Sequence, residues 1–267
     1  MALKGVVLAG GNGSRLSRLT VVTNKHLLPV HDRPMIFYPL QTLREMGCRE
    51  VLVVVGGRSV GDILELLHDG SDLDLDLTYR YQRGALGIAH AIGLTRDFVG
   101  TDPVAVVLGD NIVRGSLRDF ADRFVGDPSL EAGAVLKDVP DPERFGVAEL
   151  DGDGRLVGFE EKPARPKSNL IPIGVYFFRP SVFDVIGTLL PSARGEFEIT
   201  DLLNHYLAAG SLAYTVFEGE WHDAGTIEAL LEAGTFAASF TTEGPIEAAT
   251  GPEAADAERT DPRQVRA

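Results

Sequence analysis

A strand-like run of apolar residues leads directly into a glycine-rich turn near the start of the chain. Lys4–Ala9 (KGVVLA) is predicted to form a buried strand, and Gly10, Gly11 and Gly13 follow it. Similar runs recur at 50–55 and 104–108, with a strand-like alternation at 73–81 and helical apolar spacing at 34–47, 59–68 and 85–98. Strands joined by crossover helices form a parallel sheet that helices cover on both faces. The first half is therefore predicted to form an α/β layer structure.

The second half of the chain carries an antiparallel pattern. Residues 145–150 and 156–161 lie on either side of the turn Asp151-Gly152-Asp153-Gly154, which predicts a β-hairpin. A further strand is predicted at 173–178, and helices are predicted at 181–190 and 199–209. Together the two halves predict a three-layer α/β fold with a mixed sheet and an antiparallel insertion.

The chain is acidic, which limits the partners that it can bind. It has 25 Lys and Arg against 39 Asp and Glu, a formal net charge of −14. A protein that binds duplex nucleic acid needs a broad basic face, so nucleic acid is not an expected partner. No stretch reaches the ~18 apolar residues of a membrane helix, and the first residues lack the apolar core of a secretory signal. With Cys48 as its one cysteine, the chain is expected to be cytoplasmic and not membrane-bound.

The composition changes near residue 241. Residues 241–267 are rich in Glu, Ala, Pro and Thr, have no apolar periodicity and are acidic overall. A segment of this kind cannot offset the entropy cost of ordering by burying apolar surface. We therefore expect one domain over residues 1–240 and a disordered acidic tail over 241–267.

The glycine-rich turn is typical of a phosphate-binding loop. Glycines leave backbone N–H groups open to a phosphate, and the guanidinium of Arg15 fits phosphate oxygens. The chain has no Gly-Lys-Ser/Thr tripeptide, so this is not a Walker A loop. Leu16 stands where a dinucleotide fingerprint needs a third glycine, which argues against a nucleotide-dependent oxidoreductase. A plain tight turn with a surface arginine is the alternative.

The turn belongs to a longer series of motifs. Gly10-Gly11-x-Gly13-Ser14-Arg15-Leu16 is followed by Asn24-Lys25-His26-Leu27-Leu28-Pro29-Val30 and then by segments at 34–38, 108–112, 141–147, 160–163, 166–169, 191–196, 198–201 and 221–225. This series, spread over 4–240, resembles the sugar-1-phosphate nucleotidylyltransferases, with the short-form glucose-1-phosphate thymidylyltransferases as the nearest branch. The resemblance implies a Rossmann-like, GT-A-like nucleotidyltransferase fold and a homotetramer or homodimer. It also implies transfer of a nucleotidyl group from a nucleoside triphosphate, dTTP first, to a sugar-1-phosphate, glucose 1-phosphate first, with release of pyrophosphate.

The resemblance assigns roles to individual residues. It implies that Asp110 and Asp223 jointly hold Mg²⁺, a hard cation that takes few protein oxygens. The implied catalytic residues are Arg15, Lys25, Asp110 and Lys162, whose cations would stabilise the departing pyrophosphate. The implied nucleotide-binding residues are Leu8, Gly10, Gly11, Gly13, Ser14, Arg15, His26, Gln82, Gly87 and Asp110. The implied sugar-phosphate-binding residues are Asn111, Gly146, Glu161, Lys162, Tyr176 and Arg194.

Three departures from the family pattern concern the substrates. His26 stands where many thymidylyltransferases have glutamine, residues 83–86 differ from the usual loop near the base, and Pro172-Ile173 replaces a Val-Thr pair near the sugar. UTP or another triphosphate, and another sugar or cyclitol phosphate, are therefore open alternatives. A non-catalytic protein that binds a nucleotide sugar is a further one. Trp221 and His222, beside Asp223, are expected to pack or to face solvent rather than to bind a ligand.

Overall fold

A seven-stranded mixed sheet lies at the centre of the structure, a computed structural model that describes residues 2–11 and 13–240. The strands are β1 (Lys4–Ala9), β2 (Pro29–Val30), β3 (Arg33–Pro34), β4 (Glu50–Gly56), β5 (Asp76–Gln82), β6 (Val104–Leu108), β7 (Asn111–Arg114), β8 (Ala132–Asp138), β9 (Gly146–Leu150), β10 (Leu156–Glu161), β11 (Leu170–Phe178), β12 (Leu212–Val216) and β13 (Glu220–Asp223). The order across the sheet is β12-β8-β11-β6-β1-β4-β5. β11 is antiparallel to both of its neighbours, and the other neighbouring pairs are parallel. The mixed α/β fold predicted from the sequence is confirmed.

Helices cover both faces of this sheet and complete the three layers. They are α1 (Phe37–Glu45), α2 (Val60–Leu67), α3 (Ile88–Gly93), α4 (Arg96–Val99), α5 (Arg118–Gly126), α6 (Val182–Ile186), α7 (Ile199–Ala208) and α8 (Ile227–Ala238). In β1, Val7 and Ala9 are buried with residues of α1, α2 and α5, whereas Val6 and Leu8 are buried with residues of α3, α6 and α7. Because successive side chains of a strand face opposite sides, a strand covered on both faces must be apolar throughout.

Two strand pairs outside the main sheet shape one end of the fold. β9 and β10 form the predicted antiparallel hairpin. β7 pairs antiparallel with β13, so that Asn111 lies opposite Asp223. The N–H of Ala224 donates to the carbonyl of Asp110 at 3.0 Å, which continues this pairing to the end of β6. Residues that are far apart in the chain thus meet beside the carboxyl end of β6.

Two predicted elements begin later than expected. The helix expected at 34–47 begins at Phe37, because Arg33–Pro34 pairs with Pro29–Val30 as a short antiparallel strand. The strand expected at 73–81 begins at Asp76, because a 3₁₀ turn occupies the three residues that end at Leu73.

Two other predicted helices are interrupted by threonine. The helix expected at 85–98 is divided into α3 and α4, and the hydroxyl of Thr95 donates to the carbonyl three residues earlier at 2.7 Å. The helix expected at 181–190 ends at Ile186, and Thr188 makes the same kind of bond at 2.7 Å. Such local side-chain bonds offer the backbone an alternative to the helical ladder.

Within residues 2–11 and 13–240, no helix combines the length and the apolar character needed to cross a bilayer. The acidic tail predicted at 241–267 lies outside the described residues. The boundary at residue 240 and the disorder expected beyond it stay predictions.

Candidate active site

The glycine turn after β1 lies beside the carboxyl end of β6. The N–H of Gly109 donates to the carbonyl of Leu8 at 3.0 Å and joins the two strand ends. Gly10 has no space for a side chain, because a Cβ there would meet the amide of Gln82 at the end of β5. Asp110 follows Gly109 at the same edge. In open α/β sheets, ligands bind beyond the carboxyl ends of the strands.

Two adjoining cavities open at this edge and share Asp110, Glu161 and Lys162, so they form one cleft. The first cavity, of about 250 Å³, is lined by predicted site residues Leu8, Gly10, Gly11, Lys25, His26, Gln82, Gly87 and Arg194, besides the shared ones. The second cavity, of about 170 Å³, is lined by predicted site residues Arg15, Asn111, Gly146, Tyr176 and Asp223, besides the shared ones. The cleft thus brings together residues from both halves of the chain.

Gly13 and Ser14 belong to the glycine turn and lie next to residues that line the cleft. Gly13 has a φ of 59°, and a Cβ there would lie 3.2 Å from the Cβ of Lys25. Gly13 therefore contacts the Lys25 side chain, and it is not one of the described residues that line either cavity. Ser14 begins the 3₁₀ turn Ser14–Leu16, which carries Arg15 to the second cavity.

Lys25 and Asp110 form a nearly buried ion pair. Lys25 Nζ lies 2.5 Å from Asp110 Oδ2, and the two side chains are 13% and 12% exposed. Burial alone would raise the pKa of Asp110, but the charge and the hydrogen bond of Lys25 outweigh it and hold the pKa below its usual range. Asp110 is therefore ionised, with one carboxylate oxygen engaged by Lys25.

Asp223 is the second carboxylate of the cleft. A Cβ at Gly225 would lie 2.8 Å from Asp223 Oδ1 and 3.0 Å from Arg15 Nη2, so both groups lie against the same glycine. Burial raises the pKa of Asp223, and the negative charge of Asp110 raises it further. Arg15 and Lys25 offset this shift only in part. Two carboxylates that share a site in this way favour an added positive charge.

The donor set of Asp110 and Asp223 fits a hard divalent cation. Both residues line the second cavity. Burial is the main cause of the raised pKa of Asp223, and the negative charge of Asp110 adds to it, so a cation beside the pair would favour the ionised form. Mg²⁺ binds through one or two carboxylates and completes its shell with water and phosphate oxygens. Within the described part of the chain, no group of three or more His, Cys, Asp or Glu is placed to hold a metal ion. A cation at this pair would therefore need oxygens from a bound ligand.

His26 lies between the glycine turn and Gly109. It is 1% exposed, and its Nδ1 lies 2.7 Å from Asn24 Oδ1, which also accepts the His26 backbone N–H at 3.1 Å. Because that oxygen can only accept, Nδ1 carries the proton. Nε2 has no hydrogen-bond partner among the described residues, and a Cβ at Gly109 would lie 2.7 Å from it. Burial, aided by the charge of Lys25, lowers the pKa of His26 to about 3, so the ring is neutral.

Gln82 and Gly87 border the first cavity. Gln82 is 5% exposed, and its Nε2 lies 3.4 Å from His90 Nδ1. Gly87 has a φ of 99°, and a Cβ there would lie 2.7 Å from the backbone nitrogen of Phe197. The N–H of Phe197 donates to the carbonyl of Leu86 at 2.8 Å. The loop before α3 and the loop before α7 are therefore joined, and only glycine fits at their crossing.

Lys162 follows the end of β10 with a left-handed backbone, at a φ of 44°. Its N–H donates to the carbonyl of Phe145 at 2.9 Å, which continues the hairpin ladder, and its side chain lines both cavities. Such strain in a residue other than glycine persists only where the surroundings impose it, commonly at functional sites. Next to it, burial raises the pKa of Glu161, and the charge of Glu198 adds to this effect.

The remaining predicted sugar-phosphate residues surround the second cavity. Asn111 is 2% exposed, and its Nδ2 donates to the carbonyl of Ile173. Tyr176 is 2% exposed and belongs to the core as well as to the cavity lining. A Cβ at Gly146 would lie 3.3 Å from Glu161 Oε2. These residues add polar groups to a pocket between β7, β9 and β11 that also has apolar lining.

Comparison with known proteins identifies the family. The model of the nucleotidyl transferase family matches residues 4–239. The chain belongs to this family. The predicted resemblance is thereby confirmed, since the match covers nearly all of the described residues.

Curated relatives of this nucleotidyl transferase share about two fifths of its residues. It is 41% identical over 262 residues to the low-salt glycan biosynthesis nucleotidyltransferase Agl11 of Haloferax volcanii, covering 92% of this chain and 73% of the relative. It is 40% identical over 231 residues to a glucose-1-phosphate thymidylyltransferase of Streptomyces antibioticus, covering 86% of this chain and 65% of the relative. The chain thus spans slightly less than two thirds of the length of the Streptomyces enzyme.

Solved structures agree with the fold of this nucleotidyl transferase. A crystal structure from Bacillus anthracis, of a candidate glucose-1-phosphate thymidylyltransferase in complex with sucrose, has a TM-score of 0.86 at 42% identity, covering 92% of this chain and 98% of that one. A UDP-glucose pyrophosphorylase complexed with UDP-glucose has a TM-score of 0.77 at 23% identity, covering 90% and 99%. The second likeness concerns the fold alone.

The sequence analysis of this nucleotidyl transferase missed two carboxylates of the cleft. Glu196 and Glu198 line the first cavity and contact Arg194 together with Glu161. The signal in the sequence is the run Arg-Gly-Glu-Phe-Glu, which places two acids within four residues of the arginine.

Trp221 packs as expected, and it also lies at the second cavity, which was not expected. Its ring packs against Phe145, with centroids 5.7 Å apart, but it also lines the second cavity. Its Nε1 is buried and has no hydrogen-bond partner among the described residues. His222 packs against Phe236 at 4.4 Å between centroids. Trp221 therefore lines the cleft with its ring and has a buried N–H without a partner among the described residues.

Proposed function

We propose that this nucleotidyl transferase is a glucose-1-phosphate thymidylyltransferase, which converts dTTP and glucose 1-phosphate into dTDP-glucose and pyrophosphate. The observation that carries the proposal is the meeting of Asp110 and Asp223 in a cleft that also holds Lys25, Arg15 and Lys162. Relatives at about 40% identity are glucose-1-phosphate thymidylyltransferases by name, which supports the same substrates here.

The reaction is a displacement at the α-phosphorus of the triphosphate. A phosphate oxygen of the sugar 1-phosphate forms a bond to this phosphorus, and the bond to the oxygen that bridges to the β-phosphate breaks. Pyrophosphate leaves with that electron pair. A phosphate monoester has a second pKa of ~6 and is mostly dianionic near neutrality, so the attacking oxygen needs no general base. Catalysis then depends on alignment and on charge neutralisation.

In this proposal the glycine turn and two cations hold the triphosphate. Gly10 and Gly11 let phosphate oxygens approach backbone N–H groups, because no Cβ stands in the way. Lys25 and Arg15 flank the carboxylate pair from the first and second cavities. We assign them to the negative charge that grows on the departing pyrophosphate.

Asp110 and Asp223 would hold the divalent cation, and Mg²⁺ suits their oxygen donors. When bound, the cation neutralises phosphate charge and fixes the geometry of the in-line displacement. Lys25 engages one oxygen of Asp110 and leaves the other to the cation. Asp223 has a raised pKa and must be ionised before it can act as a ligand.

The sugar 1-phosphate is assigned to the far side of the carboxylate pair. Lys162, which lines both cavities, and Arg194, which lines the first, would bind its phosphate where the two cavities meet. Glu161 would accept hydrogen bonds from sugar hydroxyls. The other contacts to the sugar are assigned to the Asn111 side chain, the Gly146 backbone and Tyr176, all of which line the second cavity.

The amide of Gln82 would read the base from the first cavity. An amide donates and accepts, as the imide edge of a pyrimidine requires. Thymine and uracil share that edge, so UTP is the competing triphosphate. The glycine at position 87 lets the adjoining loop lie close to the backbone of Phe197 beside this cavity.

One assay tests the proposal. Purified full-length protein with Mg²⁺ is incubated with dTTP, UTP, CTP, ATP or GTP, each combined in turn with glucose, galactose, N-acetylglucosamine and mannose 1-phosphates, and pyrophosphate is measured. We expect dTTP with glucose 1-phosphate to give the highest kcat/KM. Higher activity with another pair would replace the substrates, and binding of dTDP-glucose without turnover of any pair would indicate a non-catalytic protein.

The compartment and the assembly are a further part of the proposal. A cytoplasmic location suits a buried free thiol at Cys48 and soluble, charged substrates. A homodimer or homotetramer is proposed by analogy with the family. Light scattering coupled to size-exclusion chromatography measures the mass of the assembly, and a monomer would exclude this part of the proposal.

A further inference from the structure

Arg194 is surrounded by more negative charge than it can balance. Its Nη2 lies 2.7 Å from Glu198 Oε2, 3.0 Å from Glu161 Oε1 and 3.3 Å from Glu196 Oε2. Lys162 Nζ also lies 3.7 Å from Glu161 Oε1, so two positive charges face three carboxylates. Arg194 therefore cannot attract a phosphate strongly unless a carboxylate gives way. The three carboxylates differ in geometry and burial, and these differences distinguish the fixed partner from the exchangeable ones.

Glu198 holds one edge of the Arg194 guanidinium. Nε lies 3.2 Å from Oε1 and Nη2 lies 2.7 Å from Oε2, which is the two-point contact of a bidentate pair. The side chain of Glu198 is 8% exposed, and Ser192 Oγ donates to its Oε1 at 2.6 Å. Arg194 is 39% exposed, but the carboxylate of Glu198 is buried, so losing the arginine would leave a buried negative charge uncompensated. Glu198 is therefore the partner that stays.

The position of Glu198 in the fold supports this role. It is the N-cap residue of α7, yet its side chain makes no capping hydrogen bond. An acidic N-cap side chain usually accepts an N–H of the first helical turn. Here it is turned to Arg194, while the positive end of the helix dipole still favours its negative charge. A rigid helix end thus fixes the carboxylate that holds the arginine.

Glu161 and Glu196 contact Arg194 less firmly. Each contributes one oxygen to Nη2, and their side chains are 22% and 39% exposed. Among the described residues, Nη1 of Arg194 has no hydrogen-bond partner. At this end of the guanidinium, Nη1 therefore has no partner among the described residues, and Nη2 is contacted by two carboxylates that a ligand can replace.

We propose that Glu198 is a positioning residue that fixes Arg194 along one edge, and that Glu161 and Glu196 are temporary partners that the sugar phosphate replaces at the other. This inference rests on the proposed function, in which Arg194 binds the phosphate and Glu161 binds a sugar hydroxyl. Arrival of the phosphate releases Glu161 from Arg194 and makes its carboxylate available to the hydroxyl. The two ends of the sugar phosphate are therefore recognised together.

Glu198→Gln and Glu196→Gln form a matched pair of variants, because each removes one negative charge next to the same arginine and keeps the side-chain size. We expect E198Q to raise the KM for the sugar 1-phosphate about tenfold, since Arg194 loses its orientation. The KM for the triphosphate stays within about twofold. We expect E196Q to lower the KM for the sugar 1-phosphate about twofold to threefold, since a competing carboxylate is removed.

The opposite changes in KM expected for E198Q and E196Q distinguish a positioning role of Glu198 from a general effect of negative charge near Arg194. If both variants shift this KM in the same direction by similar factors, only the net charge near Arg194 matters, and the proposal is overturned. Ser192→Ala removes one hydrogen bond from Glu198 and is the milder variant in case E198Q does not fold. We expect it to raise the same KM about threefold, and an unchanged KM there would also overturn the proposal.

A second measurement does not depend on turnover. The Arg194 Nε–H signal, assigned in ¹H–¹⁵N spectra by its loss in R194K, is expected to exchange slowly with water in the wild type and in E196Q, but rapidly in E198Q. Slow exchange in E198Q overturns the proposal even if the enzyme is active. A wild type that turns over no sugar phosphate refutes the proposed function and leaves the exchange result to decide whether Glu198 fixes Arg194.

Discussion

Asn111 and Asp223 face each other across the antiparallel pair β7–β13. This pairing, with the hydrogen bond from Ala224 to the carbonyl of Asp110, brings the two carboxylates of the cleft together. Backbone bonds hold this arrangement, so the carboxylate charges can be removed without removing what positions them. The chemistry of the cleft can therefore be tested separately from the fold.

Asp223→Asn tests the carboxylate pair. We expect kcat to fall by about two orders of magnitude or more, because a neutral amide cannot hold the cation or balance its charge. We expect the unfolding midpoint to be equal or higher, because the neutral amide removes both the cost of burying a charge and the repulsion from Asp110, which together raise the pKa of Asp223. Pyrophosphate release and thermal unfolding measure the two effects.

Asp62→Asn is the matched control, since Asp62 is an exposed residue of α2 that lines neither cavity. Near-normal turnover by D223N would exclude Asp223 from the metal site. A chelator is expected to abolish wild-type turnover, and added Mg²⁺ to restore it. Full activity in the chelator would contradict the role proposed for both aspartates.

Lys162→Ala tests the sugar-phosphate side of the cleft. We expect the KM for the sugar 1-phosphate to rise about tenfold to a hundredfold, because a charged hydrogen bond to the phosphate is lost. The KM for the triphosphate is expected to change by less than about threefold. Lys167→Ala serves as control, because Lys167 pairs with Glu149 outside both cavities. Equal kinetics for K162A and K167A would remove Lys162 from the site.

His26→Gln tests the buried neutral imidazole. The pKa of His26 in the fold is about 3, below its ordinary value of 6.5, so the unfolded chain takes up a proton that the folded chain does not. The free energy of unfolding should therefore fall as the pH drops below 6.5, by at most about 1.4 kcal/mol per pH unit for this group. Glutamine does not titrate. Urea unfolding at pH 7 and pH 5 should show a smaller loss in H26Q, and equal losses would mean that other groups dominate.

Gly87→Ala tests the crossing between the two loops of the first cavity. The added Cβ meets the backbone of Phe197, and the φ of 99° is strained for alanine. We expect a stability loss of about 1–3 kcal/mol and a higher KM for both substrates, because the same crossing positions Gln82 and Arg194. Gly84→Ala is the control, since a Cβ there meets only a leucine carbon at 4.0 Å. A G87A enzyme as stable and active as G84A would show that the crossing is not restrictive.

The layer structure could be predicted from the sequence because the central parallel strands β1, β4 and β6 are short apolar runs. Both faces of β1 are buried, so its residues carry a continuous signal rather than an alternating one. The boundaries were less predictable. Thr95 interrupts a helical apolar pattern through its own hydroxyl, and Arg33–Pro34 joins a two-residue strand whose partner no local pattern reveals.

The site was accessible from the sequence only in part. The residues of the glycine turn are neighbours in the chain, so phosphate binding could be predicted there from the sequence. The nearness of Asp110 and Asp223 depends on the pairing of β7 with β13, which spacing along the chain does not predict. Glu198 was missed for a similar reason, since an acid at a helix start is ordinarily a cap, and here it binds Arg194 instead.

The ribbon of β7 and β13 also sets the order in which the site can be assembled during synthesis. The glycine turn, Lys25 and Asp110 leave the ribosome early, and the central strands β1, β4 and β6 can pair before β13 has been made. Until β13 has been made, Asp223 is missing, and Asp110 is the one member of the carboxylate pair that lies near Lys25. A nascent chain therefore brings the two carboxylates of the proposed divalent-cation site together only when nearly all of the sheet is in place.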